Sequence, residues 1–164
     1  MKLTDYILDV PDWPKEGIVF KDISPLLKDV NAFTFSTLSM RGLLDIKKNG
    51  LPSYIIGIEA RGFIFGAHLA KRLQCGFIPL RKKGKLPPPV ISKEYDLEYG
   101  TDTLEIKPGD GEKVVIVDDV YATGGTANAA RELCKEAGYD VIDEIYLINL
   151  SFLNNDKVKS VITY

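Results

Sequence analysis

The chain has one histidine, one tryptophan, two methionines and two cysteines in 164 residues. So few imidazoles and thiols leave no cluster at the short spacings that zinc and redox-metal sites need. Cys75 and Cys134 fall at or near the ends of apolar helical patterns and are expected to be reduced core thiols. His68 sits inside an apolar helical pattern and is expected to be a packed helix residue rather than a catalytic base. No apolar run reaches the roughly 20 residues a membrane helix needs. The N-terminal stretch MKLTDYILDVPDW carries acids where a secretory leader would be apolar, so a cytoplasmic location is expected. A net charge of −2 argues against general nucleic-acid binding. Repeats, low-complexity tracts and linkers are also missing. With 45% apolar and 27% charged residues, this length points to one domain, residues 1–164, around a single core.

The most informative stretch is VVIVDDVYATGGT, residues 114–126. Val114 to Val117 read as a strand buried on both faces, with Asp118 and Asp119 following at its end. A small hydroxyl-rich turn comes next, Ala122-Thr123-Gly124-Gly125-Thr126. A helical pattern follows, with Ala127, Ala130, Leu133, Cys134 and Ala137 on one face. A strand running into a Gly/Thr turn at a helix start binds anions, because free amides and the helix dipole converge there and glycine lets a phosphate approach. A loop built for a nucleoside triphosphate would carry the lysine of G-x-x-x-x-G-K-[ST], and this one does not. A carboxylate pair before a phosphate cradle instead suits a sugar phosphate, with the acids accepting hydrogen bonds from the sugar hydroxyls.

Other segments fit the same chemistry. Tyr54 to Ile58 reads as a short strand, followed by Glu59-Ala60-Arg61-Gly62 and a helix to about Leu73. Arg61 gives this second loop a planar donor fork suited to phosphate oxygens. Gly76 to Leu80 reads as another strand, leading into Arg81-Lys82-Lys83-Gly84-Lys85, four cations in five residues. Leu3 to Val10 is expected to form a short helix and residues 11–27 an irregular stretch. A longer helix is expected from about Asn31 to Lys48, and two strands at Asp143 to Leu150 and Lys159 to Tyr164. Strands alternating with helices predict an α/β fold: an open, mainly parallel twisted sheet flanked by helices. Residues 82–102 break that rhythm with Pro87-Pro88-Pro89 and a polar, aromatic run. A connection of that length reads as a lid loop.

The 114–126 segment resembles the 5-phosphoribosyl-1-diphosphate (PRPP) signature of the type I phosphoribosyltransferases. GIVFKDISPLL (17–27), EARGF (59–63), RKKGKLP (81–87), YDLEYG (95–100) and VDDVYATGGT (117–126) together resemble the adenine phosphoribosyltransferase family, in that family's order. The resemblance implies that type I fold, with a small base-binding hood at residues 1–27 and a flexible lid at 82–102. It implies that Ala122, Thr123, Gly124, Gly125 and Thr126 hold the 5-phosphate and that Asp118 and Asp119 face the ribose hydroxyls. The diphosphate falls to Glu59, Ala60, Arg61, Gly62, Arg81, Lys82 and Lys85, with Arg61 also neutralising the leaving charge. Phe20 stacks on adenine, while main-chain groups of Val19 and Lys21 read its polar edge; many members of the family carry arginine where Lys21 stands. Glu98 handles a proton on the imidazole side of adenine, and Tyr99 covers the sugar phosphate.

The implied reaction joins adenine to PRPP, giving AMP and diphosphate in purine salvage. It is assisted by Mg²⁺ held mainly by PRPP, in a homodimer that engages neither nucleic acid nor membrane. Two alternatives remain at the level of sequence. One is the same fold acting on hypoxanthine, guanine, xanthine, orotate or uracil. The other is a regulator that binds PRPP without turnover.

Overall fold

A computed structural model describes residues 1–97 and 99–164. Its backbone contacts divide into two units, Met1–Ser39 and Met40–Tyr164. The smaller unit begins with a 3₁₀ turn, Leu3–Tyr6. Strand β1, Leu8–Pro11, then pairs antiparallel with β2, Val19–Asp22, in the register Val10 opposite Phe20 and Asp9 opposite Lys21. Two expectations are corrected here. The helix expected over Leu3–Val10 stops after one turn, and the stretch expected to be irregular contains β2. Each strand is too short to reveal itself alone, and the pairing partner lies about ten residues away. Helix α1, Ser24–Lys28, follows with Pro25 in its first turn, where a missing N–H costs nothing.

Helix α2, Val30–Gly42, crosses the division between the units, and α3, Ile46–Asn49, is capped by Asp45 accepting from the Lys48 amide. The single helix expected over Asn31–Lys48 is thus two. The Asp45 side chain caps a second start within the stretch, and Gly50, with φ of +79°, ends it.

The larger unit holds β3 (Tyr54–Ile58), α4 (Gly62–Leu73), β4 (Gly76–Lys82), β5 (Ile91–Asp96), β6 (Thr101–Ile106), β7 (Lys113–Tyr121), α5 (Gly125–Glu136), β8 (Asp140–Asn149) and β9 (Ser160–Thr163). Its strands run in the order β5-β6-β4-β3-β7-β8-β9. The five from β4 to β9 are parallel, and β5 and β6 are antiparallel at one edge. Val114 to Val117 are almost wholly buried, each contributing roughly 1.5–3 kcal/mol of burial energy. Ile56 and Ile58 pack with Ala130, Leu133 and Cys134 of α5. On the other face Gly57 and Gly66 let α4 approach β3: a Cβ on Gly66 would lie 3.4 Å from the Gly57 Cα. Helices on opposite faces are what right-handed crossovers running in opposite directions require.

Those two crossovers diverge between β3 and β7. The carboxyl ends of these two strands therefore flank the topological switch point, where open α/β sheets bind ligands. The segment 82–102 is only partly the irregular loop expected. Residues 91–96 form β5, laddered to β6 from Ile91 opposite Ile106 to Asp96 opposite Thr101. Ile91, Lys93 and Tyr95 alternate inward against Ser92, Glu94 and Asp96 outward, a period-two signal that the preceding prolines obscured.

Candidate active site

At the switch point lies a cavity of about 420 Å³. It is lined by Ile58, Glu59, Ala60, Arg61, Lys82, Asp118 to Ala127 and Tyr146. One wall is the turn between β7 and α5. Gly124 is the N-cap of α5 with φ of +92°, and the first helical bond runs from the Asn128 amide to the Gly124 carbonyl. The amides of Gly125, Thr126 and Ala127 therefore have no intrahelical acceptor, and a glycine N-cap supplies no side chain to cap them. With the helix dipole behind them they form an anion cradle. Ala122, Thr123, Gly124, Gly125 and Thr126, expected to act together, line one surface.

The two acids sit inside β7 rather than after it, because the strand continues to Tyr121 alongside β8. Asp119 is 4% exposed. Arg61 Nε lies 2.7 Å from its Oδ2, close enough for an ion pair. That oxygen nevertheless has no aligned hydrogen-bond donor among the described residues. Asp118 Oδ1 accepts from the Asp119 amide at 2.8 Å. Burial, and then the charge of Asp119, push the Asp118 carboxyl well above the usual carboxylate range. Burial also raises Asp119, opposed by the Arg61 guanidinium. Both carboxyls are thus raised by burial, and the Arg61 guanidinium works against that rise at each. Carboxylates with raised pKa values are costly in the free protein and suited to a ligand that brings hydroxyl donors.

The opposite wall is Glu59, Ala60 and Arg61; Gly62, expected with them, does not line the cavity. Gly62 has no room for a side chain: a Cβ there would lie 2.8 Å from the Val117 carbonyl and 2.9 Å from Asp118 Oδ1. Glu59 turns to the next strand. It accepts from Arg81 Nε at 2.8 Å and from the Lys82 amide at 3.1 Å. Burial alone would raise the Glu59 pKa, but these bonds carry it below the usual value. Arg81 is also stacked 5.7 Å from the Phe63 ring centre and bonded to the Lys85 carbonyl at 3.4 Å. Lys82 lines the cavity and is ion-paired to Asp102 on β6. Arg81 and Lys85 do not line it.

Val19, Phe20 and Lys21 lie in the smaller unit. Phe20 borders an apolar hollow of about 260 Å³ with Val10, Trp13 and Asp22, and its ring meets Trp13 edge-on at 4.6 Å. Lys21 points to the other face of β2, 8% exposed and 2.7 Å from Asp9. β2 pairs with β1 in a two-stranded sheet. Tyr99 is exposed. Glu98 lies outside the described residues.

Sequence reasoning gave no role to Trp13, Tyr121 or Tyr146. An apolar-looking stretch conceals ring contacts that only the strand register makes. The rings of Tyr121 and Tyr146 meet edge-on at 5.0 Å.

Residues 34–161 match the profile of the phosphoribosyl transferase domain family. An adenine phosphoribosyltransferase of Bdellovibrio bacteriovorus is 50% identical over 169 aligned residues, covering all of both chains. The chain belongs to the adenine phosphoribosyltransferase family. A member of this family from Thermoanaerobacter pseudethanolicus superimposes with a TM-score of 0.90 at 45% identity, over 99% of this chain and 98% of that one. The Saccharomyces cerevisiae adenine phosphoribosyltransferase, solved with adenine and an imino-altritol bisphosphate, matches with a TM-score of 0.88 at 34% identity. That match covers 98% of this chain and 95% of that one.

Proposed function

We propose that the chain transfers the 5-phosphoribosyl group from PRPP to adenine, giving AMP and diphosphate, as a cytoplasmic homodimer. The observation that carries the reading is the pairing of an uncapped helix start with the half-buried Asp118 and buried Asp119 at the sheet's switch point, in a chain matched end to end by adenine phosphoribosyltransferases.

In this reading the amides of Gly125, Thr126 and Ala127 hold the 5-phosphate, and Ala122 to Gly124 shape the turn. Asp118 and Asp119 accept the ribose hydroxyls, giving Asp119 Oδ2 the aligned hydrogen-bond donor it lacks among the described residues. As PRPP binds, Arg61 exchanges its carboxylate contact for the diphosphate, and Lys82 follows from Asp102. Glu59 acts by holding Arg81, and Lys85 and the loop amides of Ala60 and Gly62 complete the diphosphate end. Phe20 stacks on the purine, and main-chain groups of Val19 and Lys21 read its edge. Lys21's side chain, already paired with Asp9, has little direct part. Glu98 takes the role of proton handler from family resemblance, and Tyr99 covers the sugar. The lid, residues 82–102, closes to exclude water.

The ribose carbon passes through an oxocarbenium-like state, so the protein's work is positioning and charge compensation more than covalent chemistry. Among the described residues no three metal-binding side chains cluster. Mg²⁺ takes one or two carboxylates and substrate oxygens for the rest. It would be held mainly by the PRPP diphosphate and by ribose oxygens fixed by Asp118 and Asp119. When bound, Mg²⁺ supplies neutralisation of the leaving diphosphate. Incubation with adenine, PRPP and Mg²⁺ should yield AMP and diphosphate one to one by chromatography, with loss of turnover in chelator and recovery on added Mg²⁺. Diphosphate release without AMP would contradict the transfer to adenine.

A further inference from the structure

The connection between β8 and β9, residues 150–159, lies outside every motif read from the sequence, yet two of its side chains hold the phosphate turn from beneath. Asn154 Nδ2 donates to the Ala122 carbonyl at 2.8 Å, and also lies 3.0 Å from Asn149 Oδ1 and from the Leu150 carbonyl. Its Oδ1 accepts from the Asp156 amide at 3.2 Å. Asp156 Oδ2 accepts from the Tyr121 hydroxyl at 2.6 Å. That hydroxyl sits directly under Gly124: a Cβ on Gly124 would lie 2.5 Å from it and 3.2 Å from Asp156 Oδ2.

The turn is thus fixed at two points. Asn154 orients the peptide after Ala122, and the Tyr121–Asp156 pair forms the floor on which Gly124 rests with φ of +92°. The peptide planes of this turn set where the amides of Gly125 to Ala127 point. An amide that must meet a phosphate oxygen within a few tenths of an ångström depends on such support.

We propose that Asn154 and Asp156 are positioning residues for the 5-phosphate end of the sugar phosphate, acting through Ala122 and through Tyr121 and Gly124. The proposal rests on the PRPP reading of the cavity. It separates the two ends of the ligand, because neither residue touches the Glu59–Gly62 loop that takes the diphosphate.

The test titrates ribose 5-phosphate and diphosphate separately into the full-length protein and its variants. Asn154→Ala and Asp156→Ala are expected to weaken ribose 5-phosphate by about three- to tenfold, the scale of one lost hydrogen bond, and to leave diphosphate unchanged. Asp156→Asn keeps an acceptor for the Tyr121 hydroxyl and is expected to restore affinity. Tyr121→Phe with Asp156→Ala should be no worse than either change alone, since both remove the same bond. In steady-state rates the variants should raise KM for PRPP and leave kcat at saturation within about twofold. Unchanged ribose 5-phosphate affinity, or equal weakening of both ends, would overturn the positioning role. A parent protein that binds neither probe would overturn the PRPP reading itself, and this proposal with it.

Discussion

At the scale of single residues, the acid pair is where function and stability pull apart. Asp118 is raised by burial and by the charge of Asp119. Its folded pKa therefore lies above its unfolded one. Its contribution to stability is fully present below the unfolded value and is lost as pH rises through the folded value. Asp118→Asn removes that liability and retains an acceptor for the Asp119 amide. The variant should melt higher than the parent at neutral pH, with the gap closing towards pH 4. Combined with Asp119→Asn it should weaken PRPP by about 10- to 100-fold, the scale of lost charge-assisted hydrogen bonds. Scanning calorimetry across pH, paired with PRPP titration, checks both, and unaltered PRPP affinity would remove the ribose-anchor role. Trp13 offers a second residue-scale test because it is the chain's single tryptophan and adjoins Phe20. If Phe20 stacks on adenine, adenine should change tryptophan emission, and Phe20→Ala should abolish the change. Emission indifferent to saturating adenine would place the base elsewhere. Glu98→Gln should bind both substrates and lose most of kcat; unchanged turnover would take Glu98 out of the mechanism.

At the scale of elements, the two strand–loop–helix units were legible because each combines a continuous apolar strand with a glycine-bearing turn and a helical period. Tyr54–Ile58 and its helix to Leu73 fall where the residues placed them. Elements that depend on a distant partner were not legible. The β1–β2 hairpin and β5 are short ladders whose stability comes from pairing, and the β8–β9 connection reads as featureless polar sequence until Asn154 and Asp156 meet the phosphate turn. The close seating of α4 on β7 was equally invisible, although it explains Gly62. Gly62→Ala places a methyl against the Val117 carbonyl and Asp118. It should cost about 1–3 kcal/mol as an overpacked contact and raise KM for PRPP by displacing the Asp118 side chain. Denaturant unfolding together with steady-state kinetics would check this. A variant with parental stability and KM would mean that the helix start yields without disturbing the acids.

At the scale of the molecule, a sheet whose crossovers diverge between β3 and β7 brings two anion-binding loops to one edge, and PRPP has two anionic ends. The smaller unit carries the residues assigned to the base. The proposed chemistry of the site rests on charge: Asp118, Asp119, Arg61 and Lys82 around one cavity. The choice of base, as proposed, rests on Val19, Phe20 and Lys21. The central claim joins the two, and one measurement tests it most directly. Initial rates would be recorded spectrophotometrically with PRPP and Mg²⁺, offering adenine, hypoxanthine, guanine, xanthine, uracil and orotate one at a time. The expected result is product from adenine alone. Turnover with another base in preference to adenine would contradict the base assignment. Absence of turnover with every base, in a protein that still binds PRPP, would contradict the enzymatic reading.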